Sequence, residues 1–326
     1  MNTSVLALLF PLLLFSQQNY KETMKLMGCR FDITVVANSK EKAEFAIQTA
    51  VTEITRIEKL ISSWDTHSET SAINTHAGIR PVQVSKELFD LIERCLSISK
   101  LTSGAFDISY ASMDNIWKFD GAMQSMPSTE AIKNSVEKVS YKNIVLNKSD
   151  QTVFLKRKGM KIGFGGIGKG YAADKAKELL LAQKVPAGII NASGDLNAWG
   201  KQADGNDWKV AITNPLNKNT VFSWMPIHNA AVVTSGNYEK YVEFNNIRYS
   251  HIIDPRTGYP SSGVRSVTVF TKNAELADAL ATSLFVMGID VGLNFIDQLK
   301  GVECVFIDST NKIHRSKNIT FNDVTN

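Results

Sequence analysis

The chain has 326 residues, 44% hydrophobic and 21% charged, with 20 glycines and 8 prolines. That composition excludes a disordered chain, a collagen, a coiled coil and a polytopic membrane protein, and the length suits one large domain or two smaller ones. The net charge of +4 is too small, and the Lys and Arg residues too scattered, for a nucleic-acid partner.

Residues 5–15, VLALLFPLLLF, form an apolar run of 11. A bilayer span needs about 20 residues. The run instead has the length of a signal-peptide core, so a leader over residues 1–16 and an exported, periplasmic protein are expected. No Lys or Arg precedes the run; the first is Lys21. Phe31, Ile33 and Val35 alternate with Asp32 and Thr34, which predicts a strand over residues 24–37. Asn38 and Ser39 can cap the helix that follows, where Ile47, Ala50, Val51, Ile54, Ile57 and Ile61 share one face. A polar loop is expected over residues 62–71. Ser85 then caps a second helix, with Leu88, Leu91, Ile92 and Cys95 on its apolar side. Residues 144–146 and 152–155 flank a turn and read as a hairpin.

A glycine-dense loop over residues 163–170 leads into a helix over 171–181. Short β-type runs follow at 187–191, 208–212, 231–234, 248–253 and 264–270, and a helix over 274–287 stops at Gly288. Frequent hairpins among interleaved helices favour an α+β fold with mostly antiparallel sheet over a doubly wound parallel one. The three cysteines, Cys29, Cys95 and Cys304, lie far apart without zinc-type spacing, and buried free thiols are expected.

Three segments carry chemistry. The loop Gly-Phe-Gly-Gly-Ile-Gly-Lys-Gly meets two phosphate-binding patterns in part. Gly170 stands where a P-loop needs Ser or Thr, and no βαβ unit with a following acidic residue supports a dinucleotide fold. What survives is a helix N-terminus with Lys169 beside it, which favours an anion; close helix–sheet packing is the alternative use of the glycines. Asp278 and Thr282, four apart, share a face of the last of these helices. A buried carboxylate with a hydroxyl suits a hard cation such as Mg²⁺, or a structural hydrogen-bond network. His251 and Asp254 sit three apart before a Pro-Arg-Thr-Gly turn, where a carboxylate can orient an imidazole as general base.

Together these segments resemble the ApbE family of FAD:protein FMN transferases. The resemblance runs from Met27-Gly28 through Ser63-Trp64-Asp65-Thr66-His67-Ser68-Glu69, Gly104-Ala105-Phe106-Asp107 and Gly165-Gly166-Ile167-Gly168-Lys169-Gly170-Tyr171-Ala172. It continues through Asn191-Ala192-Ser193-Gly194-Asp195, Thr234-Ser235-Gly236 and residues 251–260 to Ala277-Asp278-Ala279-Leu280-Ala281-Thr282. It implies a T-fold-like single catalytic unit over residues 20–326. That unit would take FAD and Mg²⁺, transfer the FMN portion to a Thr or Ser of a partner protein, and release AMP. By position, Asp278, Thr282 and the Gly166 carbonyl would hold the metal. Met27, Trp64, Ala105, Phe106, Asp107, Lys169 and Ile253 would line the FAD site. His251 would deprotonate the acceptor, supported by Asp254. The implied partners are flavin-carrying subunits of membrane or periplasmic electron-transport complexes. An FAD pyrophosphatase and a non-catalytic periplasmic flavin-binding protein are the alternatives.

Overall fold

The computed structural model describes residues 17–120, 123–213, 221–237 and 241–319, so the expected leader over 1–16 lies outside the described residues. The chain opens with β1 (Gln18–Leu26), β2 (Cys29–Ala37), α1 (Lys40–Ile61), α2 (Glu69–Thr75), β3 (Val82–Gln83) and α3 (Lys86–Leu101). There follow α4 (Thr129–Ser135), β4 (Ile144–Asn147), β5 (Thr152–Leu155), α5 (Gly168–Ala182), β6 (Gly188–Ala192) and β7 (Asp195–Trp199). The remainder comprises β8 (Trp208–Thr213), β9 (Val221–Ile227), β10 (Ala231–Gly236), β11 (Tyr241–Phe244), β12 (Ile247–Ser250) and β13 (Val264–Thr271). Last come α6 (Ala274–Met287), α7 (Ile289–Ile296), β14 (Glu303–Asp308) and β15 (Ile313–Arg315).

The expected α+β fold with mostly antiparallel sheet is what forms. Eight strands make one sheet in the order β1-β2-β6-β7-β10-β13-β14-β15, and each neighbouring pair is antiparallel. Sheet order follows chain order, so everything else is an insertion between neighbours. Helices α1 to α5 intervene between β2 and β6, the β8–β9 hairpin between β7 and β10, and α6 and α7 between β13 and β14.

Alternation builds the layers. Phe31, Ile33 and Val35 of β2 point into a core with Ile47, Ala50, Ile54 and Ile57 of α1 and with Ala172, Ala176 and Leu180 of α5. Val267 and Val269 of β13 meet Leu280, Leu284 and Phe285 of α6. Val36, Ala198 and Val232 belong to a separate cluster with Trp208, Val210 and Ile227 of the β8–β9 hairpin. Ser39 caps α1 by accepting from Lys42 N, and Ser85 caps α3 by accepting from Leu88 N, both as expected. Cys95 and Cys304 are buried, Cys29 half-buried, and all three are free.

Two expectations need correction. Residues 24–37 are not one strand: Met27 and Gly28 adopt φ of 49° and 73°, a two-residue turn that folds the segment into the β1–β2 hairpin. The polar loop expected over 62–71 ends at Ser68, whose side chain accepts from Ser71 N and starts α2. Among the described residues no helix is long and apolar enough to cross a membrane.

Candidate active site

One cavity of about 950 Å³ receives Met27, Trp64, Ala105, Phe106, Asp107, Gly166, Lys169, His251, Ile253, Asp278 and Thr282. The structure therefore gathers every site residue expected from the sequence except Asp254. They arrive from the β1–β2 turn, the segment after α1, the segment after α3, the start of α5, the loop after β12, and α6.

One end of the cavity is charged. The helix expected from 171 starts earlier, at Gly168, so Lys169 stands in its first turn. Lys169 Nζ lies 2.8 Å from Asp195 Oδ2 and 3.7 Å from Asp278 Oδ2. Asp278 Oδ2 also accepts the Gly170 N–H at 3.2 Å. Thr282 is one turn further along α6. A methyl placed on Gly166 would sit 3.0 Å from Thr282 Oγ1, a tight contact that the bare glycine backbone avoids. Asp195 and Asp278 are each 3% exposed. Burial is the main cause of raised pKa values in both, and the charge of Asp278 adds to it at Asp195. The two carboxylates hold the Lys169 ammonium firmly protonated.

The other end is aromatic and apolar. Ser62 Oγ accepts the N–H groups of Trp64 and Asp65 at 3.2 and 3.0 Å, and this turn presents the Trp64 ring 92% exposed at the cavity mouth. Phe106 is buried, with its N–H on Thr102 Oγ1 at 3.2 Å. Asp107 is occupied locally: Oδ1 accepts from Ser109 N and Oγ at 2.8 and 2.6 Å, and Oδ2 from Tyr141 N at 2.7 Å. It shapes the wall next to Ala105. Met27 donates its N–H to Glu58 Oε2 at 3.0 Å.

The 251–260 loop is closed by Ser250 N to Ser261 O, Ser261 N to Ile252 O and Asp254 N to Tyr259 O, at 3.0, 2.9 and 2.9 Å. Ile253 bridges Pro260, and Trp117 Nε1 donates to Gly258 O at 2.9 Å. This leaves His251 and Ile253 on the cavity. The Asp254 carboxylate takes the Arg256 side chain in a two-point pair, 2.9 and 2.8 Å, and the Arg256 N–H at 2.9 Å, which ties the loop.

A family model described as the ApbE family matches residues 27–306. The chain belongs to the ApbE family. It is 29% identical over 289 residues to an FAD:protein FMN transferase of Treponema pallidum (strain Nichols), covering 84% of this chain and 80% of the relative. It is 32% identical over 270 residues to the FAD:protein FMN transferase of Escherichia coli (strain K12), covering 81% and 77%. The crystal structure of the ApbE protein from Thermotoga maritima superposes with a TM-score of 0.82 at 30% identity, covering 92% of this chain and 97% of that one.

In this ApbE-family chain the cavity also uses residues that the sequence did not single out. Tyr110 accepts the Gly165 N–H on its phenol oxygen at 3.2 Å. Glu58 and Trp117 line the wall. Asp195 stands in the 191–195 segment that carries the resemblance, but no role was expected of it; its own signal is an acidic residue directly after a Ser-Gly turn, at the start of a strand whose other residues are mostly apolar.

Proposed function

We propose that this chain is an FAD:protein FMN transferase. In this reading it cleaves FAD at the pyrophosphate, joins the FMN phosphate to a Thr or Ser hydroxyl of a partner protein, releases AMP, and depends on Mg²⁺. The supporting observation is the meeting of Lys169, Asp278, Thr282 and Gly166 at one end of a single large cavity with His251 on its wall. Its volume is at the upper end of small-molecule sites, which suits an extended dinucleotide.

Transfer at a pyrophosphate needs charge neutralisation, alignment and an activated nucleophile. Lys169 provides a fixed positive charge. His251 would accept the proton of the acceptor hydroxyl. Trp64 and Phe106 offer flat surfaces to the ring systems. Two buried carboxylates around one ammonium leave a surplus negative charge, and the donors of Asp278, Thr282 and the Gly166 carbonyl are hard oxygens, so the residues fit Mg²⁺. Bound there, Mg²⁺ supplies charge neutralisation at the phosphates. The apolar run at 5–15 supports export, and flavin-carrying subunits of electron-transport complexes are the acceptors this reading proposes.

The test incubates the protein with FAD, Mg²⁺ and an acceptor domain bearing a surface Thr. Mass spectrometry is expected to show a covalent FMN adduct, with AMP released in equal amount. AMP and free FMN without adduct would make the protein an FAD pyrophosphatase and reject the transferase reading.

A further inference from the structure

Three elements send one charged side chain each into the same buried corner: Lys169 from α5, Asp195 from β7 and Asp278 from α6. The ammonium does not sit midway. It is 2.8 Å from Asp195 Oδ2 and 3.7 Å from Asp278 Oδ2. Asp278 Oδ2 has the Gly170 N–H as well. Asp195 Oδ2 has no well-directed hydrogen bond, so the neighbouring ammonium is its compensation.

We propose that Asp195 is a positioning residue that holds the Lys169 ammonium off Asp278, and so keeps Asp278 open to a divalent cation. The role rests on the reading of Asp278, Thr282 and Gly166 as a cation site. Asp195 is well placed for it, because its backbone is fixed. It follows the tight β6–β7 turn, where Ser193 and Gly194 have φ of 52° and 104°, and it pairs with Ala192 across the hairpin. Asn191 Oδ1 accepts the Gly194 N–H at 2.8 Å, and Ser193 Oγ donates to Arg30 O at 3.0 Å. Lys169 is the flexible member of the trio. A half-buried ammonium beside two buried carboxylates closes on whichever carboxylate remains charged. With Asp195 neutral, that carboxylate is Asp278, and an arriving cation must first break a direct ion pair.

The experiment measures Mg²⁺ affinity by calorimetry and thermal shift without FAD, in wild type, Asp195→Asn, Lys169→Met and the double variant. Titrations at pH 9 keep proton competition out of the comparison. Asp195→Asn is expected to weaken Mg²⁺ by about 10–100-fold, as for residues that orient metal ligands. In the Lys169→Met background the same substitution is expected to lose most of that effect, since no ammonium remains to be held. Equal weakening in both backgrounds would show Asp195 acting on the cation directly and overturn the proposal, as would an unchanged affinity in Asp195→Asn. Should Asp195→Asn fail to fold by circular dichroism, Asp195→Ser carries the same comparison. A wild type that takes no Mg²⁺ removes the cation-site reading itself, which is distinguishable because it appears before any variant is compared.

Discussion

At the scale of single residues, the proposed chemistry concentrates on Asp278. Its carboxylate is buried, faces Lys169, and lies one helical turn from Thr282, whose hydroxyl faces Gly166. Burying such a group costs several kcal/mol unless a cation or a set of hydrogen bonds answers it, and here Asp278 has one backbone N–H and a share of an ammonium that sits closer to Asp195. Asp278→Ala is therefore expected to lower Mg²⁺-dependent transfer by at least about 10²-fold while the fold stays intact. Product formation at saturating FAD, alongside the near-ultraviolet circular dichroism spectrum, checks it; full activity would remove Asp278 from the cation site. Gly166→Ala is a finer probe. The added methyl would lie 3.0 Å from Thr282 Oγ1 and 3.3 Å from its Cγ2, tight but tolerable with a small shift of the threonine. The Mg²⁺ concentration for half-maximal activity is expected to rise several-fold with the melting temperature within a few degrees of wild type. The opposite pattern, unchanged Mg²⁺ demand and a large loss of stability, would make the glycine a packing residue alone.

At the scale of elements, α5 and α6 cross where the site needs them, and two residues of α5 set the crossing. Gly170 lies against the Ala274 carbonyl at the start of α6, so that any Cβ would collide with it. Gly170→Ala is expected to cost about 2–4 kcal/mol in a denaturant titration, because backbone rather than a side-chain tip must give way. Asp174 caps α6 from outside: its carboxylate accepts the Ala274 and Glu275 N–H groups at 2.9 Å each and is also bonded by Asn197, while Asn273, at the usual capping position, makes no side-chain cap. Burial raises Asp174 from the usual carboxylate value to about 6. A raised folded-state pKa means that the folded protein holds this proton more tightly than the unfolded chain. The resulting stability is present below about pH 4 and is lost as pH rises through about 6. The unfolding free energy of wild type minus that of Asp174→Asn is thus expected to fall between pH 4 and pH 6, by about 2–3 kcal/mol at most. A flat difference would show that Asp174 does not carry the shift.

Local signals account for what the sequence made legible at this scale. Helix α1 shows its apolar face at regular spacing, and the β4–β5 hairpin has apolar runs on both sides of a polar turn. Helix α2 escaped because its seven residues are mostly polar and bury only Thr70 and Ile73. The β1–β2 turn escaped because Met is an unusual residue at positive φ, so Gly28 alone marked it. In the site, residues within one short segment were readable, as with Asp278 and Thr282 on one helix turn. The pairing of Lys169 with Asp195 joins the start of a helix to a strand two elements later, and no local pattern reports it.

At the scale of the whole molecule, the sheet is a frame threaded in chain order, and most of the cavity residues sit in the turns and insertions between its strands. Its edges are blunted against further pairing, β15 by being three residues long and β1 by Lys21, Glu22 and Lys25. Cavity residues run from Met27 to Thr282, so one ligand would touch the first hairpin, the start of α5, the 251–260 loop and α6 together. A single catalytic unit then has a signature in hydrogen exchange. A ligand bound only to the folded state stabilises it by about 2.7 kcal/mol at a hundred times its dissociation constant. If these segments open as parts of one cooperative body, saturating FAD and Mg²⁺ should slow amide exchange in all four at once, including the Gly170 N–H that is held by Asp278. Two independent halves would respond differently. Protection would be confined to the side the ligand grips first, and the other half would exchange as before. Exchange measured by mass spectrometry on peptides covering residues 24–30, 165–175, 248–262 and 274–285 separates these outcomes. Slowing restricted to one or two of those peptides would reject the single unit.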